Sequence, residues 1–245
     1  MNLLIEYIDY KFNQRNKDKI IPKSALNSWF WFEKGSPMRL YYQSVVEQLR
    51  RDTTILSIED FGAGSKKLGN NRKIKDIFNT SVSKGRKARK LYGIIKYLQP
   101  QKSLEFGTSL GLSSLILAEN SETITTVEGC QATYNFASKI INSAPNKRNI
   151  VAFNQQFSGY LNSLKPKESK FHFFYLDGHH DGVATLNYIE KISPYLVDGA
   201  VILIDDIRWS EDMLVTWKKL QKLPDFSFQD LFQFGLLLKG GIQKI

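Results

Sequence analysis

Ser103-Leu104-Glu105-Phe106-Gly107-Thr108-Ser109-Leu110-Gly111-Leu112 is an apolar run that stops at a carboxylate, turns on glycine and resumes as an apolar segment. A strand entering a helix through a Gly-bearing turn reads this way, because glycine lets the backbone come close to a ligand. The pattern predicts a buried strand over 103–106 and a helix over 112–119. The alternation continues outward, with strands predicted at 123–127, 149–153, 171–176 and 200–204. Helices are predicted at 131–141, 157–164, 183–196 and 211–220, with Asp198-Gly199 as a turn. Short apolar strands alternating with amphipathic helices imply a doubly wound α/β sheet with parallel strands. Two last runs, 226–232 and 235–238, are separated by a short turn and predict an antiparallel hairpin.

Residues 1–100 are different. They hold aromatic clusters at 29–32 and 41–42, two predicted helices (41–51 and 87–98), and between these a stretch rich in Gly, Ser, Asn and Lys. Residues 1–90 are therefore expected to form a basic helical extension or cap, and residues 91–245 the main α/β domain. The chain has 245 residues and a net charge of +10. The first 90 residues carry 19 Lys and Arg against 9 Asp and Glu, whereas the remainder carries 15 of each. Such a region attracts acidic substrates or nucleic acid, or serves only as a solvated face. At 42% hydrophobic residues the chain can bury a core. No apolar run is long enough to span a bilayer. The single cysteine, Cys130, permits no internal disulfide, which fits a cytoplasmic location. The oligomeric state is left open, a homodimer included.

The candidate loop has a rival. Glu59-Asp60-Phe61-Gly62-Ala63-Gly64-Ser65 has the more suggestive glycines, but basic residues and asparagines follow it where an apolar helix is needed. It reads as a loop or lid. The second carboxylate decides for Glu105: Glu128-Gly129 ends the next strand 23 residues on, where a carboxylate accepts the two hydroxyls of a ribose. Asn154, after the third strand, is either an adenine contact or ordinary loop polarity. Tyr175-Leu176-Asp177-Gly178-His179-His180-Asp181 and Ile204-Asp205-Asp206-Ile207 end the fourth and fifth strands, on the side where open α/β sheets bind ligands. An imidazole there, His179 or His180, can act as general base. Asp177 and Asp205 can instead cap the following helices.

The spacing Glu105-x-Gly107-x-x-x-Gly111, with Glu128, Asp177 and Asp205, resembles class I S-adenosylmethionine-dependent methyltransferases, and within them the catechol-type, small-molecule O-methyltransferases. Ser109 stands where a middle glycine is common in the class, a departure shared by the catechol-type group. The resemblance covers about residues 100–240. It implies a seven-stranded Rossmann-like sheet with an antiparallel last strand, and a cofactor held by Glu105, Gly107, Thr108, Ser109, Gly111, Glu128, Gly129, Asn154 and Asp177. Glu105 is expected near the cofactor's ammonium. It also implies a catalytic set of Asp177, His180 and Asp206, with Mg²⁺ on Asp177, Asp205 and Asp206 in metal-dependent members, although Asp206 stands where the catechol enzyme has Asn. Three hard oxygen ligands suit such an ion.

Hydroxyl methylation of a small-molecule acceptor is the leading expectation. The alternatives are a nucleic-acid (RNA) methyltransferase or RNA-binding protein using the basic N-terminal third, and an NAD-dependent oxidoreductase. Asp177-Gly178-His179-His180 replaces the Asn/Asp-Pro-Pro-Tyr/Phe motif usual in amino-directed nucleic-acid methyltransferases. The oxidoreductase would need a Gly-x-Gly-x-x-Gly phosphate turn, and the loop lacks it.

Overall fold

A strand with apolar side chains on both faces must be covered on both faces, and Phe171–Leu176 is such a strand. Phe173 and Tyr175 point into one core and Phe174 and Leu176 into the other, as the two-residue period of a strand requires. The computed structural model describes residues 7, 10, 20–26, 35–59, 69–80, 84–165 and 170–240. The aromatic stretch at 29–32 and the rival loop at 60–65 lie outside the described residues.

In chain order the N-terminal part contains α1 (Lys23–Leu26), α2 (Pro37–Arg51), β1 (Ile55–Ser57), β2 (Asn71–Lys73), α3 (Ile74–Thr80) and α4 (Arg86–Leu98). The alternating part follows: β3 (Lys102–Phe106), α5 (Leu112–Ala118), β4 (Thr123–Glu128), α6 (Gln131–Ser143), β5 (Ile150–Asn154) and α7 (Phe157–Ser163). It continues through β6 (Phe171–Leu176), α8 (Gly182–Ile192), β7 (Leu196–Ile204), α9 (Glu211–Leu220), β8 (Phe226–Asp230) and β9 (Gly235–Lys239).

The sheet has seven strands in the order β5-β4-β3-β6-β7-β9-β8. The first five are parallel, while β9 runs antiparallel to both β7 and β8. This is the Rossmann-like sheet with an antiparallel last strand that the sequence predicts. The order reverses between β3 and β6, so their carboxyl ends open the crevice in which such sheets bind ligands.

The predicted turn at Asp198-Gly199 is corrected: both residues lie inside β7. Gly199 adopts φ +80°, a left-handed conformation natural to glycine, and the register against β6 shifts between Phe171 and Phe173. The strand bulges there without ending. The helix predicted over 183–196 stops at Ile192, and a 3₁₀ turn at Ser193–Tyr195, with Pro194 near its start, leads into β7.

One face of the sheet packs on α8 and α9, through Ile189, Ile192, Trp217 and Leu220 against Phe174, Leu176, Ile202 and Ile204. The other face shares a core with the N-terminal part, where Met38, Tyr42, Val45, Leu49, Ile94 and Ile95 join Leu115, Ile116, Phe173 and Leu203. Removing such side chains from water contributes about 1.5–3 kcal/mol each. Gln229 of the edge strand β8 accepts from Ile21 N (2.7 Å) and donates to Ile21 O (3.0 Å), pinning the early chain to the sheet. Helix α4 runs through the 90/91 boundary expected between extension and domain. Strands β1 and β2 pair with each other outside the seven-stranded sheet, so the rival loop follows a strand that does not belong to that sheet.

Candidate active site

Beyond Glu105-Phe106 the chain turns at Gly107, at φ +100°. A Cβ there would overlap the main-chain carbonyl of Asp177, so the residue must be glycine for β3 and β6 to end side by side. Gly107 N donates to Val127 O (3.0 Å) and Asp177 N to Phe106 O (2.9 Å), stitching three strand ends together. Ser109 continues the loop at φ +48°, and Gly111 occupies the N-cap of α5. Ser109 N donates to Glu128 Oε2 and Cys130 N to Glu128 Oε1, each at 3.0 Å, so the carboxylate is held in a fixed plane against the loop. The hydroxyls of Thr108 and Thr126 pair at 2.6 Å. Asn154 donates its amide to Glu128 O (2.9 Å) and Gly129 O (3.2 Å), which places it as a brace of the β4 end.

Glu105 lies beneath this loop and is fully buried. Ser114 Oγ, on α5, donates to its Oε2, while Oε1 has no hydrogen-bond partner among the described residues. Burial pushes its pKa up to about 7, against the opposing pull of the Ser113, Ser114 and Thr126 hydroxyls. A fully buried oxygen lacking a donor is costly, and an arriving ammonium would satisfy it. The fit to S-adenosylmethionine thus rests on Glu105 Oε1 below the loop and the fixed Glu128 carboxylate beside it.

The acidic cluster sits at the carboxyl ends of β6 and β7. Tyr175 OH lies 2.9 Å from Asp177 Oδ2 and 3.1 Å from Asp205 Oδ2, bridging the two. Asp206 N donates to Asp205 Oδ1 (2.7 Å). Lys87, from the first turn of α4, pairs with Asp205 Oδ2 and stands 3.6 Å from Asp206 Oδ1. Burial disfavours a charged lysine, yet Asp205, Asp177 and Asp206 outweigh it and hold its pKa above the ordinary value. Burial and the Asp177 charge push the Asp205 carboxyl well above the usual range. Burial works upward on Asp177 too, but Lys87, the bond with Asp205 and His180 hold it below the usual range. Two carboxyls bridged by one hydroxyl are thus pushed in opposite directions, Asp205 up and Asp177 down.

His180 Nε2 stands 3.9 Å from Asp177 Oδ1, and its ring lies 5.9 Å from that of Trp209, an exposed tryptophan. His179 turns away, with Nδ1 2.7 Å from Tyr188 OH on α8. Both histidines have positive φ (69° and 41°), an uncommon conformation that concentrates at functional sites.

The sequence of residues 104–207 matches a family described as a methyltransferase domain. That stretch runs from β3 to the end of β7 and carries the strand ends just described. No curated protein matches the chain. Among solved structures it is similar to the O-methyltransferase TomG of Streptomyces achromogenes, involved in tomaymycin synthesis and solved with S-adenosylmethionine (17% identity, 66% of this chain and 83% of that one, TM-score 0.58). It is likewise similar to an O-methyltransferase of Bacillus cereus in complex with S-adenosylhomocysteine (15%, 85% and 93%, 0.56). The third, the S-adenosylhomocysteine-bound methyltransferase PaMTH1 of Podospora anserina, matches over nearly the whole length (13%, 98% and 97%, 0.59). At these identities the likeness to solved structures is one of fold.

At the carboxyl ends of β6 and β7, Asp177, His180, Asp205 and Asp206 come together beside the loop that holds Gly107 and Ser109. The capping alternative falls away, because Asp181 caps α8 and Ser210 caps α9. The expected Mg²⁺ set of Asp177, Asp205 and Asp206 is not shown by this arrangement. The Lys87 ammonium already stands against Asp205 and Asp206, and no group of three His, Cys, Asp or Glu among the described residues is disposed to hold a metal ion. Lys87 and the bridging role of Tyr175 are the two features that sequence reasoning missed. Lys87 shares a helical face with Leu91 and Ile94, spacing that marks it as inward-facing. No helix among the described residues is long and apolar enough to cross a membrane.

Proposed function

We propose that the chain is an S-adenosylmethionine-dependent O-methyltransferase acting on a hydroxyl of a small-molecule acceptor. The juxtaposition of His180 with Asp177, 3.9 Å apart at the carboxyl ends of the strands beside the Glu105–Gly111 loop, carries this reading. S-adenosylmethionine supplies an electrophilic methyl group on a sulfonium. Glu128 binds the ribose hydroxyls, and Glu105 receives the ammonium from below the loop. His180 is placed to take the proton of the acceptor hydroxyl, whose oxygen would receive the methyl group that the bound sulfonium would supply. Asp177 favours the imidazolium that results. Trp209 offers an apolar wall to the acceptor. Positioning supplies most of the acceleration in such an in-line displacement. No step here runs through a metal. The matched proteins lend no support to the nucleic-acid alternative.

Calorimetric titration with S-adenosylmethionine, S-adenosylhomocysteine and NAD, with and without Mg²⁺, tests the proposal. Both sulfur ligands are expected to bind, independently of Mg²⁺. Binding of NAD alone would refute the reading.

A further inference from the structure

Lysine is almost never buried without a partner, and Lys87 is 15% exposed in a cluster of acids. Its position is anchored from both sides. Behind it, Lys84 Nζ donates to the main-chain carbonyls of Phe78 (3.1 Å) and Asn79 (2.9 Å) at the end of α3, and Gly85 forms the N-cap of α4. Ahead of it, Ala88, Leu91, Ile94 and Ile95 bury the inward face of the same helix. The ammonium is thereby delivered from the N-terminal part of the chain to the ends of β6 and β7.

We propose that the Lys87 ammonium is the resident cation of the acceptor site, standing in the place of a divalent metal and holding Asp177, Asp205 and Asp206 as one cluster. The proposal rests on reading this crevice as the acceptor site. The three carboxyl groups gathered at the ends of two parallel strands are hard oxygen donors, the type a hard cation takes, although as disposed here they form no metal site. Left alone they repel one another, and something positive must balance them. Here a side chain does so: it pairs with Asp205 Oδ2, lies 3.6 Å from Asp206 Oδ1, and adds its field to Asp177, which Tyr175 links to Asp205. A divalent ion bound by the same oxygens would lie within a few ångströms of this ammonium, and like charges that close in a part-buried site repel strongly. By that repulsion the cluster holds one cation or the other. Lys87 is thus a positioning residue, fixing Asp177 opposite His180 with no ion taken up from solution.

The test is Mn²⁺ binding by the full chain, followed by the electron paramagnetic resonance of free Mn²⁺. Wild type is expected to take up no ion at the cluster, and the His180 imidazole resonances are expected to stay sharp as Mn²⁺ is added. Lys87→Ala, which vacates the position, should bind about one equivalent, tighter than wild type by about tenfold or more, and Lys87→Ala/Asp205→Asn should lose it. Broadening of His180 in wild type by stoichiometric Mn²⁺ would overturn the proposal without need of any variant. So would a folded Lys87→Ala chain that binds Mn²⁺ no better than wild type. Neither arm measures methyl transfer or cofactor binding, so failure here leaves the methyltransferase reading untouched, and failure of the cofactor titration leaves this result interpretable.

Discussion

A carboxyl group with no water around it is easier to keep protonated, and Glu105 is in that position. Its folded pKa is about 7 against an ordinary 4.5, with burial as the main cause. The folded chain therefore binds a proton between these values that the unfolded chain has released, and stability falls as pH rises from about 4.5 to about 7. The cost levels off at ~3 kcal/mol above that window. Glu105→Gln, neutral at every pH, should remove this slope. Urea denaturation of the ligand-free protein at pH 5 and pH 8 checks it: the variant should gain on wild type at pH 8. An equal difference at both pH values would show that Glu105 is not held protonated. Glu105 was legible in the sequence as the end of a buried strand, but the Ser114 hydroxyl that reaches it from the next helix was not. Lys87 was harder still. It stands in a basic run, Arg86-Lys87-Ala88-Arg89-Lys90, that reads as the solvated start of a helix, and its partners Asp205 and Asp206 lie far along the chain.

At the scale of elements, the β4 end and the Gly107–Gly111 loop form one unit, joined by Glu128 through Ser109 N and Cys130 N. Glu128→Ala leaves these two main-chain groups to water on a half-buried surface, so the fold should hold. On the proposed assignment, the same change deletes the acceptor for two ribose hydroxyls. Hydrogen bonds to a charged group are worth about 1.5–3 kcal/mol, so cofactor affinity should fall by about tenfold to a hundredfold or more. Calorimetry with S-adenosylhomocysteine gives the affinity and circular dichroism the fold; unchanged affinity removes the ribose assignment. Element identity was legible wherever burial imposes a simple pattern. Phe171–Leu176 and the later part of β7 are continuous apolar runs because helices cover both sheet faces. The bulge at Gly199 was not legible, since Asp-Gly signals a turn and only pairing with β6 keeps the strand going. Helix α3 escaped for a related reason: Ile74, Ile77 and Phe78 are its only buried residues, set among polar ones.

At the scale of the molecule, the question is whether residues 1–90 are an appendage or a structural layer. An appendage could be removed, leaving residues 91–245 to fold around their own core. The packing argues for a layer. Met38, Tyr42, Val45 and Leu49 of α2 and Ile77 and Phe78 of α3 belong to the same apolar cluster as Leu115, Phe173, Tyr175 and Leu203. Tyr41 OH donates to Ile140 O of α6 (2.6 Å), and Ser36 Oγ to Glu119 Oε1 (3.0 Å), so polar ties run alongside the apolar ones. Cutting at 90/91 would also divide α4 and remove Lys87, leaving the Asp177, Asp205 and Asp206 cluster without its ammonium. The remaining helix stub, shorter than the ~12–15 residues an isolated helix needs even for marginal stability, could not cover that face alone. The 91–245 fragment is therefore expected to expose apolar surface, bind a hydrophobic dye and melt without a cooperative transition, whereas the full chain melts in one step. A fragment that stays monomeric, melts cooperatively and binds S-adenosylhomocysteine as tightly as the full chain would show that the N-terminal part is a cap after all.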